Sequence, residues 1–188
     1  MKKYIIIFFL LFTIACQPIE KIETVVFDNN QLSKFSILAN SIEIITIYEK
    51  KISDPHIGHT LKISPTQRII DWVNENFKAI GNENNFNVTI LDASLTQIQF
   101  KNKDAKNLDK KINYKYELFF LVEYNLYDNS NNLIASTLVE AKRSTTSGVY
   151  ISIVERENII NDLIYQTLVD LTDESKKLIT KYMIDFIL

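Results

Sequence analysis

One cysteine, three glycines and three prolines stand among 188 residues, and each scarcity removes a class of function. Cys16 is alone, so it can form no internal disulfide and no cysteine cage for zinc. Gly58, Gly81 and Gly148 lie too far apart to line a phosphate cradle, and neither GxGxxG nor GxxxxGK[ST] occurs. HExxH, CxxC and GxSxG are missing as well. A formal charge of −2 gives the chain no bulk attraction for nucleic acid. No catalytic residue, cofactor, metal or nucleic-acid partner is assigned on these grounds, and the chain reads as non-enzymatic.

What is present begins at the N-terminus, MKKYIIIFFLLFTIACQP. Lys2 and Lys3 precede the twelve residues 4–15, which hold no charge, proline or glycine. As a helix this stretch is about 18 Å long, well short of the roughly 20 residues that cross a bilayer. A basic start, a short apolar run and a small residue, Ala15, before a cut predict a secretory signal peptide over 1–15.

The order Ile14, Ala15, Cys16 resembles the lipobox of bacterial lipoproteins, in which the cysteine is acylated with diacylglycerol and becomes the mature N-terminus. Thr13 departs from that pattern, where Leu is usual. The resemblance implies lipidation at Cys16, which also removes the liability of a free thiol in an oxidising compartment. Several acyl chains anchor a protein to a bilayer far more firmly than one. Gln17 in place of an Asp retention signal points to the outer membrane, facing the periplasm. Loss of Lys2 and Lys3 with the signal takes the charge from −2 to −4. Residues 16–32 read as a lipidated tether and 33–188 as a single domain.

Within 33–188 the hydrophobic period alternates between two and 3.6. Residues 41–52 (SIEIITIYEKKI) read as a strand, with a short one before it at 33–38. Ser64, Pro65 and Gln67 form a capping box, and Ile69, Ile70, Trp72, Val73, Phe77 and Ile80 recur at helical spacing up to Gly81, a left-handed stop. Trp72 falls on the core stripe. The run FNVTILDASLTQIQF (86–100) alternates, slips phase by one residue and resumes, so a bulge is expected near Leu91 or Asp92. Strand, helix and strand predict a βαβ unit with parallel strands. Residues 114–127 and 133–142 flank the turn DNSNN and predict an antiparallel hairpin whose first strand is apolar on both faces, hence internal. After an expected loop, STTSG, Ser152 and Glu155 cap a helix that meets no glycine or proline to the end of the chain. Four polar residues at 172–175 mark where it should bend, unless it overhangs the sheet.

The fold expected is α+β: a two-layer sandwich, a mixed and mostly antiparallel sheet of about four to five strands covered by two helices, the C-terminal one long. A lipobox, a tether, strands flanking a capped helix, the stretch ILDASLTQ, a hairpin and a long final helix resemble a group of small bacterial outer-membrane lipoproteins without assigned activity. More distantly the layout is similar to the lipopolysaccharide-assembly lipoprotein and to auxiliary lipoproteins of envelope lipid transporters. That resemblance implies a lipid-anchored binding or assembly module with an envelope protein as partner, or an accessory contacting lipid or lipopolysaccharide in transport.

Three segments carry residues suited to a site. Asp54, His56 and His59 in SDPHIGH have zinc-ligand chemistry, the basis of a third reading as a metal-dependent hydrolase, yet a zinc site needs a further ligand and a rigid frame. The loop reads as solvated instead. The lysine-rich tract 101–111 (KNKDAKNLDKK) is long for a hairpin connection and reads as a solvated excursion or a contact for anionic headgroups. Tyr114, Tyr116, Phe120 and Tyr124 form an aromatic stripe that either packs in the core or rims a groove for an acyl chain.

Overall fold

Sixteen-residue strands run side by side at the centre of the molecule, a computed structural model that describes residues 24–101 and 112–188. In chain order the elements are β1 (Phe35–Ile37), β2 (Ser41–Thr46), α1 (Pro65–Asn76), β3 (Phe77–Ala79), β4 (Asn85–Lys101), β5 (Ile112–Tyr127), β6 (Leu133–Gly148) and α2 (Ile153–Tyr182). The main sheet has the order β2-β4-β5-β6, and β1 pairs with β3 in a small parallel sheet. Two helices pack on one face, which gives the α+β sandwich expected from the periodicity.

The parallel pair is β2 and β4, in register from Ser41 opposite Asn85 to Thr46 opposite Ile90. The bulge falls where the alternation slips: Leu91 is the extra residue between Ile90 and Asp92 against β5. It lets both Ile90 and Ala93 point into the core. Asp92 holds the bend by accepting a hydrogen bond from the Ser94 amide at 2.8 Å. Beside the bulge β2 also ends, at Thr46 rather than at 52, because the Ile47 and Tyr48 amides both converge on the Ile90 carbonyl. The regular ladder has no partner beyond that point.

Helix α1 starts as its sequence predicts, with Ser64 Oγ accepting from the Gln67 amide and Pro65 in the first turn. Its end differs from expectation. The helix stops at Asn76, and Phe77 to Ala79 extend to pair with β1. Phe77 thereby stacks at 4.5 Å on Phe35 and at 6.0 Å on Tyr124, an aromatic gain a further helical turn would forfeit. Gly81 is not left-handed. It is needed for space, because a Cβ there would lie 2.8 Å from the Leu38 carbonyl carbon and 2.9 Å from the Ala39 nitrogen.

The DNSNN turn closes the β5–β6 hairpin. Asp128 accepts from the Ser130 and Asn132 amides, both at 2.8 Å, and Asn131 takes the positive φ of 62°. The Asn132 side-chain amide, donating to the other carboxylate oxygen at 2.9 Å, and with it these backbone bonds hold the Asp128 carboxyl below its ordinary value. STTSG is not a loop: β6 continues to Gly148, with Ser147 opposite Tyr114 and Thr145 opposite Tyr116. Main-chain pairing needs no apolar side chain, and threonine suits a strand.

Helix α2 is capped by Ser152 Oγ at the Glu155 amide and runs unbroken for 30 residues, about 45 Å. Thr172 and Ser175 cause no break, because they face the sheet and are buried. After Tyr182 the chain leaves the helix and turns back, so that Ile187 bridges Ile37 and the Leu38 amide bonds to the Phe186 carbonyl at 2.8 Å. Docking of these apolar residues on β1 replaces a last helical turn that would have stood clear of the sheet.

Candidate functional site

The lipidation residue Cys16 lies outside the described residues, as do the signal segment 1–15 and most of the lysine-rich tract. The described part of the expected tether is docked on the domain. Phe27 packs edge-on to Tyr165 at 5.6 Å and under the Arg68 guanidinium at 3.5 Å, and the Asn29 carbonyl accepts from Asn76 Nδ2 at 2.6 Å.

The aromatic stripe is core. Tyr116, Phe120 and Tyr124 are fully buried, and only Tyr114 at the strand end is partly open. Trp72, which donates Nε1–H to the Ser33 carbonyl at 3.3 Å, packs edge-on to Phe77 at 5.2 Å. Phe86 stacks on Tyr124 at 6.0 Å. These rings fill the layer between sheet and helices where an acyl chain would have to sit. Burial pushes the Tyr124 hydroxyl well above its ordinary value, and Ser175 opposes the shift.

The SDPHIGH segment is not a free solvated loop. The Ile57 amide donates to the Leu95 carbonyl at 2.9 Å, the Gln97 amide donates to the Pro55 carbonyl at 2.8 Å, and His56 bridges Thr96. The segment thus covers the edge of β4 that β2 leaves bare, which answers the unpaired-edge problem. His56 is half-buried with Nδ1 lacking a hydrogen-bond partner, whereas His59 and Asp54 are exposed. Among the described residues, no group of three or more His, Cys, Asp or Glu side chains converges on a point where a metal would sit.

Among the described residues two clefts carry charged side chains. One, of about 510 Å³, lies between β6 and the second half of α2 and is rimmed by Glu140, Lys142, Asp170, Asp173 and Glu174. Next to it Arg143 grips Asp170 with Nε and, at 2.8 Å, with Nη2, which raises the guanidinium above its ordinary value. The other, of about 240 Å³, opens where the first turns of α1 and α2 come together, and it presents Lys62, Arg68 and Arg156 with Glu157 and Asn161. Arg156 is positioned by Gln97 Oε1 at 2.8 Å. Partial burial lowers the Arg68 guanidinium from its ordinary value, with Asp71 opposing. The cluster was not legible in the sequence. Its three cations come from a loop and two helices separated by up to 94 positions, and they meet only through the packing of α1 and α2 on one sheet face.

No protein-family model matches the chain, and no curated protein matches it. Among solved structures it is similar to a minor lipoprotein from Acinetobacter baumannii, at 14% identity and a TM-score of 0.40, over 77% of this chain and 93% of that one. It is also similar to the rare lipoprotein B from Shewanella oneidensis, at 12% identity and a TM-score of 0.35, over 73% of this chain and 94% of that one.

Proposed function

We propose that this chain is an outer-membrane lipoprotein, anchored through Cys16 and facing the periplasm, that works as a non-enzymatic binding or assembly module of the cell envelope. The observation that carries the reading is the N-terminal sequence: a basic pair, a short apolar run and Ile14-Ala15 before the single cysteine. The packed interior is compatible with it, since the aromatic residues serve the core and the two clefts are open surfaces suited to contact rather than to enclosing a reaction. Cys16→Ser tests the anchor. Mass spectrometry of the mature N-terminus should find a lipid on Cys16, and the variant should leave the membrane pellet. An unmodified chain starting elsewhere overturns the reading. Affinity capture from solubilised membranes then identifies the envelope partner.

One observation favours the second reading, an accessory to lipid or lipopolysaccharide transport. Lys62, Arg68 and Arg156 share a groove suited to an anionic headgroup. Arg68→Ala with Arg156→Ala should lower the lipid phosphate that co-purifies while leaving the anchor intact. Unchanged phosphate would count against it.

A further inference from the structure

We infer that the end of the sheet where β4 and β6 finish and both helices begin is a surface that lies against an anionic lipid bilayer. The inference rests on the lipid-anchor reading. Phe100 pairs with Asn113 and Asn113 with Gly148, so the three long strands end level with one another. Just beyond Gly148 stand Tyr150, 80% exposed, and then Ile153 and Val154 in the first turn of α2, 77% and 51% exposed. Phe100 on β4 is 38% exposed. Ile98, two residues before Phe100 on the same strand, is 53% exposed. Single exposed apolar side chains are ordinary, but five at one end of a domain need a covering partner.

Charge selects the partner. Lys62, Lys101, Arg68 and Arg156 belong to this end and outnumber the acids beside them, Asp71, Glu155 and Glu157. Basic residues beside tyrosine and branched apolar side chains fit the headgroup and upper acyl region of an anionic leaflet. The opposite end also exposes Ile80, Leu133, Ile134, Tyr182, Ile184 and Leu188, but there the acids Glu83, Asp128 and Asp185 outnumber Lys78 and Lys181 and carry the sign of the lipid itself.

The route of the chain agrees. Traced backwards, it runs from Asn29, bonded to Asn76 at the last turn of α1, to Phe27 under Arg68 near the first turn, and so towards this end. From Thr24 eight residues lead to Cys16, a reach of at most about 28 Å. An anchor on that tether holds this end nearest the membrane.

Spin labels test the orientation. Tyr150→Cys and Ile153→Cys report on the apolar end, and Leu133→Cys on the opposite one, in full-length protein purified from membranes and placed on vesicles of phosphatidylethanolamine and phosphatidylglycerol. The two end labels should lose accessibility to a water-soluble nickel chelate several-fold and gain accessibility to oxygen, while the Leu133→Cys label changes in neither. Protein that floats with the vesicles while its end labels stay as accessible as the control overturns the inference and leaves the anchor standing. A chain without lipid on Cys16 overturns the anchor, and its labels decide the surface separately: shielding by the same vesicles supports it, and failure to float overturns it.

Discussion

The Tyr124 hydroxyl on β5 and Ser175 Oγ on α2 lie 2.8 Å apart, and both side chains are completely buried. This bond crosses the sandwich and joins the central strand to the stretch of α2 where polar residues accumulate. Thr167 and Thr172 beside it bond their hydroxyls to the Leu163 and Val169 carbonyls of their own helix. The polar cluster is therefore satisfied internally, and the helix keeps its course.

Removing one partner strands the other. Tyr124→Phe or Ser175→Ala alone should cost about 1–3 kcal/mol, whereas the double variant should cost less than the two single losses added together. Urea unfolding of the four proteins checks it, and simple additivity would show that the bond carries no coupling.

The same tyrosine predicts an alkaline weakness. Its folded value is raised above the ordinary 10.0, first by burial, so the stabilising contribution of the neutral form is complete below pH 10 and is lost as the pH rises further. The unfolded state ionises there while the buried hydroxyl resists. Tyr124→Phe should flatten this part of the stability curve, measured by denaturant titration between neutral pH and about pH 11.

Trp72→Ala should cost on the order of 3–5 kcal/mol, because the ring is fully buried against Phe35 and Phe77. Thermal unfolding followed by circular dichroism reads the loss. A variant as stable as the parent would place α1 outside the core.

Two glycine replacements should part company. Gly81→Ala puts a methyl 2.8 Å from backbone carbon and should destabilise by roughly 1–3 kcal/mol. At Gly58 the nearest atom is Pro65 Cδ at 3.7 Å, so Gly58→Ala should change stability by less than about 0.5 kcal/mol. Chemical denaturation of both proteins side by side decides it.

In the SDPHIGH segment His59→Ala should be silent within about 0.5 kcal/mol, since the ring is exposed. His56→Ala should cost more, because it loosens the segment that covers β4. Equilibrium dialysis against zinc should show no stoichiometric binding to the parent. Binding at one ion per chain, lost with either histidine, would restore the metal reading.

Local pattern alone determined the start of both helices, the bulge at Leu91 and the hairpin turn at Asp128, and it is the source of the proposal that Cys16 is the anchor. Each depends on residues within a few positions of one another, where capping, phase and turn chemistry act. Tertiary structure decided the rest. Phe77 left the helical period because Phe35 and Tyr124 offered it a stack, and Ser144 to Gly148 became strand because β5 offered a ladder. SDPHIGH, a loop by composition, acquired an edge to cover when β2 ended early. The Lys62, Arg68 and Arg156 groove and the apolar end beyond Gly148 exist only after distant segments are brought together, since burial and charge proximity are properties of space rather than of sequence order.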